Sequence, residues 1–197
     1  MVVEAAPRRR RMTPEREAEL YAVVRGLIRE VGYEALTMDA VAARTRTSKA
    51  TLYRLWDGKT QLVVKALRSR KPRFDALDTG SLRGDLHAMV RRDDDHQMEQ
   101  NNALIRGLMT AVHTHPELLT ALRDRVIEPE LADLNRMLQR AVDRGEIRPD
   151  SPALPYVIHM LTGAFTTRKL IDGQPPTQAY LTSYIDAVVL PTLVAGP

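Results

Sequence analysis

Apolar residues recur at intervals of three and four from near the start of the chain, the spacing that places them on one face of an α-helix. The first such stripe comprises Leu20, Val24, Leu27, Ile28 and Val31. Thr13 precedes a proline, which is typical of a helix N-cap, and Gly32 suits the residue with positive φ that follows a helix end. The pattern therefore predicts a first helix over 14–31.

Three shorter helical patterns follow before Pro72. Thr37 is the expected N-cap of the second helix, and Ser48, after a turn of three residues, is the expected N-cap of a third that runs to about Leu55. A fourth helix opens at Asp57 or Gly58 and is broken by the proline. The first 71 residues thus predict four helices of unequal length.

Beyond residue 74 the apolar spacing stays helical, and no segment alternates as a half-buried strand would. A long helix is predicted from 116 to about 144, with a kink at Pro129. Two final helices carry more apolar surface than one core can cover, because 156–171 is apolar on nearly every side. We therefore expect an all-α fold of about nine helices that associates with itself.

Charge divides the chain into two unlike parts. Residues 1–73 contain 17 Lys and Arg against 8 Asp and Glu, a net +9, and the remaining residues contain 12 against 17, a net −5. A basic N-terminal third suits a polyanionic partner, although a solvated basic surface would give the same count. The absence of cysteine excludes disulfides, thiolate zinc sites and cysteine nucleophiles.

The segment "RTRTSKATLYRLW", 44–56, is the most distinctive stretch of the basic part. Leu52, Leu55 and Trp56 fall on one side of its predicted helix. The other side presents small, hydroxylated, aromatic and cationic residues: Ala50, Thr51, Tyr53 and Arg54. Two short helices joined by a three-residue turn, the second exposing such a face, meet the demands of a helix-turn-helix that enters the major groove.

At these residues the chain resembles the TetR (tetracycline repressor) family of bacterial regulators. "TSKATLYRLW" and Lys59 match the family pattern of Ser-Lys-x-Thr-Leu-Tyr-x-x-aromatic followed by a lysine in the fourth helix, and the resemblance covers about 14–70. It implies phosphate contacts by Thr37, Lys49, Tyr53 and Lys59, base contacts by Thr51 and Arg54, and packing roles for Leu52 and Trp56. The full set expected to contact DNA is Thr37, Arg46, Thr47, Ser48, Lys49, Ala50, Thr51, Tyr53, Arg54 and Lys59.

The chain departs from the family pattern at two positions. Arg46 stands where the family usually has a glycine, so it must accept a left-handed conformation, at a cost of about 1 kcal/mol, or turn differently. We expect it to add a phosphate contact. Gly58 replaces the usual polar cap of the fourth helix, and Asp57 is the candidate to take over that role.

The body, 74–197, offers weaker signals for other ligands. An adaptable cavity is suggested by Met89, Met109, Tyr156, His159 and Met160, although methionine at helical spacing is more often core. His113 and His115 lack the i,i+4 spacing of a helical metal pair, and the run 93–96 ("DDDH") reads as a solvated turn, so no metal or cofactor is assigned. The expected interface between two copies comprises Ile158, Leu161, Phe165, Leu181, Tyr184, Ile185 and Val188.

Taken together, these features predict a basic arm (1–12), a DNA-binding head (13–71) and a regulatory, dimerising body (74–197). The expected function is a dimeric repressor that leaves a palindromic operator when a small molecule binds. An alternative is a DNA-binding regulator or architectural protein without an inducer, whose body only dimerises. An enzyme would need a catalytic motif, and none is present. The chain start lacks an apolar signal core and no run reaches about 18 apolar residues, so we expect a cytoplasmic protein.

Overall fold

The computed structural model describes residues 12–69 and 77–194, and all regular secondary structure in these ranges is helical. The segments are α1 (Pro14–Ala35), α2 (Met38–Thr45), α3 (Lys49–Trp56), α4 (Lys59–Arg68), α5 (Leu82–Val90), α6 (Asp95–Met109), α7 (Ala111–Thr114), α8 (Pro116–Leu122), α9 (Glu128–Asp143), α10 (Val157–Asp172), α11 (Gln178–Tyr184) and α12 (Leu190–Val194). One π turn each joins α8 to α9 and α11 to α12, and α7 is a single turn. When segments joined by a π turn are counted as one helix and the single turn α7 is left out, the described ranges contain nine helices. This confirms the predicted all-α class.

Side-chain caps fix the starts of α1, α2 and α3 in the head. The hydroxyl oxygens of Thr13, Thr37 and Ser48 accept hydrogen bonds from the amides three residues on, at 3.3, 3.1 and 3.2 Å. Each bond satisfies an amide that has no partner within its helix. Within α1, Gly32 has φ 76° and ψ 173°, so the regular helix ends there and one more turn follows. The predicted helix starts, and a break at Gly32, are confirmed.

The long helix departs from α geometry immediately before Pro129. Arg123–Ile127 form a π turn, in which the Glu128 amide bonds to the carbonyl of Arg123 five residues back. Pro129 has no N–H to offer the carbonyl of Arg125, and its ring would clash with that carbonyl in a regular α-helix. The irregularity predicted at Pro129 therefore takes the form of a π turn.

The described helices pack into two apolar clusters, and the first of them crosses the predicted boundary between head and body. It contains the buried faces of α1 to α4 together with Leu104, Leu108 and Ala111 from the end of α6 and the start of α7, and Leu118 and Leu122 of α8. The second cluster joins α5, the start of α6 and α9 to α12. The predicted connection at 71–74 and the basic arm, apart from Met12, lie outside the described residues.

The last helices place their apolar residues differently from the predicted interface. Ile185 is 1% exposed and Leu181 is 7% exposed, because both face the second cluster inside their own protomer. The prediction that these two side chains meet a second copy is therefore corrected. Ile158, Leu161, Phe165 and Tyr184 are half-buried against the same cluster, and Val188 is exposed.

Apolar side chains at the end of α10 remain uncovered in the protomer. Leu170 is 86% exposed and Ile171 is 74% exposed, so the apolar surface of this helix exceeds what its own chain covers. Despite this surface, no helix within the described residues is long and apolar enough to span a bilayer. Exposed apolar side chains such as Leu170 and Ile171 are candidates for contact between protein chains.

Gly107 allows α6 to approach α1 closely. A Cβ placed on Gly107 would lie far inside van der Waals contact with the backbone carbonyl oxygen of Ile28. Backbone cannot move aside as a flexible side chain can, so any other residue here would push the two helices apart. The shared core of head and body thus depends on a glycine at this position.

We expect Gly107→Ala to lower the free energy of unfolding by about 1–3 kcal/mol, the usual cost of forcing extra atoms into a packed contact. Gly26→Ala is the matched control, because a Cβ at Gly26 in α1 would meet only side-chain atoms at ordinary contact distance. That control should be neutral or stabilising by up to about 1 kcal/mol, since alanine favours helix. Urea unfolding followed by circular dichroism at one protein concentration measures both. Equal stabilities for the two variants would contradict the close contact.

Candidate nucleic-acid interface

The turn between α2 and α3 is built around Arg46. This residue closes α2 in the left-handed conformation, with φ 50° and ψ 40°. The Thr47 amide then bonds to the carbonyl of Ala42 at 3.0 Å, which ties the turn back onto α2. Of the two alternatives for Arg46, the structure has the left-handed one, at a cost of about 1 kcal/mol. Its side chain is exposed beside the start of α3.

Two buried residues hold α3 against the head. Leu52 is fully buried, and Trp56 is 3% exposed with its indole N–H donating to the Tyr21 hydroxyl at 2.9 Å. The Tyr21 hydroxyl in turn bonds to the carboxylate of Glu17. Burial and this carboxylate raise the pKa of Tyr21 to about 12, so the phenol remains a neutral donor. The packing roles predicted for Leu52 and Trp56 are confirmed.

The opposite face of α3 is open to solvent. Ala50, Tyr53 and Arg54 are exposed, and Tyr53 keeps 51% of its surface accessible. Thr51 is half-buried, with its hydroxyl 2.9 Å from that of Ser48. Leu55 was expected on the packed side but lies at its rim, 37% exposed. The exposed face therefore combines a small residue, an aromatic ring and a guanidinium group.

The cations around this face differ in how strongly they are engaged. Lys49 forms an ion pair with Asp39 at 2.7 Å, and the carboxylate raises the lysine's pKa. Lys59 donates to the backbone carbonyl of Tyr33 at 3.1 Å. By contrast, Arg46 and Arg54 make no hydrogen bond or ion pair with any described residue. The two arginines can therefore meet a phosphate or a base without first breaking a contact with a described residue.

Thr37 and Thr47 are the remaining residues of the set predicted to contact DNA, and the hydroxyl group of each forms a hydrogen bond with the backbone. Thr37 is the exposed N-cap of α2, and the Thr47 hydroxyl donates to the carbonyl of Thr45 at 3.3 Å. The start of α4 differs from expectation, because Asp57 ends α3 in a left-handed conformation, with φ 52°. Gly58 occupies the N-cap position, and α4 has no side-chain cap. The prediction that Asp57 caps α4 is therefore wrong.

The acidic run 93–96 serves to cap two helices. The Asp94 carboxylate caps α6 by accepting from the Gln97 amide at 2.7 Å. Asp95 accepts from the Gln178 amide at 2.7 Å and so caps α11, 83 residues away in sequence. Among the described residues, no group of three His, Asp or Glu side chains is arranged to hold a metal ion.

The five residues predicted to line a ligand cavity do not converge. Met89 and Met160 are half-buried against the second cluster, and Met109 and Tyr156 are exposed by 53% and 62%. Only His159 borders the groove of about 410 Å³ between α9 and the start of α10. The groove's other lining residues include Glu128, Leu131, Asn135, Leu154 and Ile158. The sequence patterns assigned none of these residues to a ligand cavity.

Comparison with known families identifies the family to which this helix-turn-helix belongs. The profile "Bacterial regulatory proteins, tetR family" matches residues 20–66, and "Tetracyclin repressor-like, C-terminal domain" matches residues 76–188. The chain belongs to the TetR family. The resemblance carried by α3 and Lys59 is thereby confirmed and extends over the body.

Individual TetR relatives agree with this assignment. An "Uncharacterized HTH-type transcriptional regulator" of Mycobacterium tuberculosis is 37% identical over 183 residues, which is 90% of this chain and 88% of the relative. A "DNA-binding transcriptional repressor TetR" of Mycobacteroides abscessus is 33% identical over 92% of this chain and 95% of its own. A crystal structure of a TetR family transcription regulator superposes with a TM-score of 0.65 at 29% identity, covering 93% of this chain and all of the other.

Family membership and the names of these relatives establish the general function of the chain. TetR family regulators bind DNA and act as dimers, and the relatives are named as transcriptional regulators or repressors. This TetR family chain is a DNA-binding transcriptional regulator.

Arg54→Ala and Lys59→Ala should weaken DNA binding in different ways. If Arg54 reads a base, its loss costs about 1–3 kcal/mol on the operator and little on random duplex. If Lys59 holds a phosphate, its loss weakens binding to both duplexes equally and lowers the log–log salt slope by about one per contact. Fluorescence anisotropy at several salt concentrations, with an operator selected from a random library, separates the two effects. Equal losses on both duplexes for Arg54→Ala would remove it from the base-reading set.

Proposed function

We propose that this TetR family member is a homodimeric repressor that binds a palindromic operator in the cytoplasm and leaves it when a small molecule binds the body. The observation that carries the proposal is the face of α3: exposed, cationic and aromatic, on a helix held by buried Leu52 and Trp56. A rigidly anchored helix loses little freedom when it docks. The exposed face of α3 would enter the major groove, with Thr51 and Arg54 at the base edges.

Repression, as opposed to activation, is supported by relatives. The Mycobacteroides abscessus protein is named as a repressor at 33% identity over nearly the whole of both chains. Steric exclusion of polymerase requires only that a dimer occupy the operator, so no further activating surface is needed. We take repression as the sign of regulation on this ground.

The contacts between head and body support an effector response. Gln61 of α4 accepts a hydrogen bond from Arg125 at 2.6 Å, and Arg125 belongs to the π turn ahead of Pro129. The groove lies against the first turns of α9, directly after the same π turn. A molecule that binds the body and changes this turn would move α4. This molecule would then lower the affinity of the protein for DNA. By thermodynamic linkage, bound DNA would lower the affinity of the protein for the molecule by the same factor.

Operator release is the direct test of the effector. We expect the protein to protect a palindromic site in footprinting, and a screen of small apolar and amphipathic compounds to yield at least one that abolishes protection. That compound should also raise the melting temperature of the free protein, because it binds the folded state. If the operator is bound but no compound releases it, the alternative without an inducer, in which the body only dimerises, is favoured.

The dimer is tested by Val188→Asp. Val188 lies in the second π turn, and its exposed side chain faces away from the second cluster. A charge at an interface between two copies would be buried without a partner, at a cost of several kcal/mol. We expect monomers of normal helical content in sedimentation experiments, with much weaker operator binding because each monomer reaches only one half-site.

Ile185→Asp is the contrasting control, because Ile185 is buried within the protomer. That substitution should lower helical content and melting temperature. A wild-type protein that is monomeric at micromolar concentration, or a Val188→Asp variant that stays dimeric, would contradict this position of the interface.

A further inference from the structure

Tyr33 lies where the head meets the body. It follows the break at Gly32, is 2% exposed, and its hydroxyl lies 2.9 Å from that of Thr60 in α4. Lys59 donates to its carbonyl at 3.1 Å and places its ammonium 4.2 Å from the ring centroid. Lys59, the expected phosphate contact at the start of α4, is therefore held in place by Tyr33 of α1.

The body reaches the same ring through His115. The imidazole packs edge-on against the Tyr33 ring, with 5.3 Å between the ring centroids. Its Nε2 lies 3.0 Å from the Glu34 carboxylate, next to Tyr33 in the chain, and its Nδ1 lies 3.2 Å from Glu117. His115 is also the residue before α8, so it connects the start of that helix to the end of α1.

We infer that His115 is a positioning residue for Lys59: through the Tyr33 ring that both contact, it sets the geometry in which Lys59 meets a DNA phosphate. This inference rests on the proposed function. It assigns to the α7–α8 junction an influence on DNA affinity, exerted through Tyr33 and Lys59, that depends on the protonation of one imidazole.

Protonation decides how many carboxylates His115 can hold. The charged ring donates from both nitrogens and can bind Glu34 and Glu117 together, whereas the neutral ring donates from one only. Glu34 also accepts from the Thr114 hydroxyl at 2.9 Å. When both carboxylates are held, His115 ties the start of α8 to the end of α1, so the carbonyl of Tyr33 stays in place and Lys59 keeps its orientation. A pre-oriented lysine loses less freedom on meeting a phosphate, so the protonated state should bind DNA more tightly.

The charges around His115 favour its protonated state in the folded protein. They are Glu34 of α1 and Glu117 of α8, with Lys59 of α4 beside Glu34. The hydrogen bond to Glu34, opposed by desolvation, raises the pKa of His115 above its ordinary 6.5, and the hydrogen bond from His115 lowers the pKa of Glu34. The contact is therefore complete below pH 6.5 and is lost as the pH rises through the raised pKa of His115.

The test compares His115→Gln with His113→Gln, a matched control that removes an exposed histidine two residues away. Binding to a labelled duplex of roughly 30 base pairs of mixed sequence is measured from about pH 6 to about pH 8.5 at constant salt. Between these limits the Kd of the wild type and of His113→Gln should rise roughly threefold more than that of His115→Gln, because only the imidazole of His115 loses the proton that the contact needs. In a Lys59→Ala background the difference should vanish.

Identical pH profiles for wild type and His115→Gln, or a difference that persists without Lys59, would overturn the inference while leaving DNA binding intact. No duplex binding at any pH would overturn the proposed function as well. A second measurement needs no variant: by linkage, adding duplex to the wild-type protein must raise the pKa of His115 in an NMR titration. An unchanged pKa contradicts the inference even if His115→Gln fails to fold.

Discussion

Burial of α1 between α2, α4 and α6 is the constraint on which the other features depend. Leu20 and Val24 pack toward the helix-turn-helix, and Ile28 lies against Gly107 of α6. One helix therefore belongs at once to the DNA-binding head and to the core that the head shares with the body. A displacement of α6 or α8 cannot be absorbed in a loose linker, because packed interiors move as units. The proposed response to an effector would act through this shared core.

Electrostatics in the head separate the cations that form ion pairs within the chain from those left for a partner. Lys49 and Arg44 pair with Asp39 and Glu30 at 2.7 and 3.0 Å, and these exposed ion pairs contribute little stability. They do fix where the positive charges lie around α3. Arg46 and Arg54, without partners among the described residues, carry the charge that a polyanion would meet first. Orientation on DNA would follow from this arrangement and from the acidic body.

The apolar surface of the last helices shows how a protomer can be folded and yet incomplete. The second cluster buries Ile185 and Val189 within one protomer. Leu170 and Ile171 nevertheless remain exposed, a cost that association would remove. Dimerisation on this surface would add to the stability of the body. The distance between the two α3 helices of a dimer would then depend on an interface that is separate from the core of each protomer.

The sequence by itself determined the features that arise from contacts within a few residues. The caps at Thr13, Thr37 and Ser48, the break at Gly32, the packed side of α3 and the family pattern from Ser48 to Lys59 all depend on spacings of three to eleven positions. Sequence could not decide which of several apolar faces is covered, and so it misplaced Leu181 and Ile185.

The tertiary structure alone decided the contacts between distant segments. It placed the end of α6, α7 and α8 in the core of the head, brought His115 to Glu34 across 81 positions, and used Asp95 to cap α11. The reason is physical: a hydrogen bond within one helical turn depends on the conformation of a few neighbouring residues, whereas a contact across 80 residues forms only where the packing of whole helices brings its two partners together.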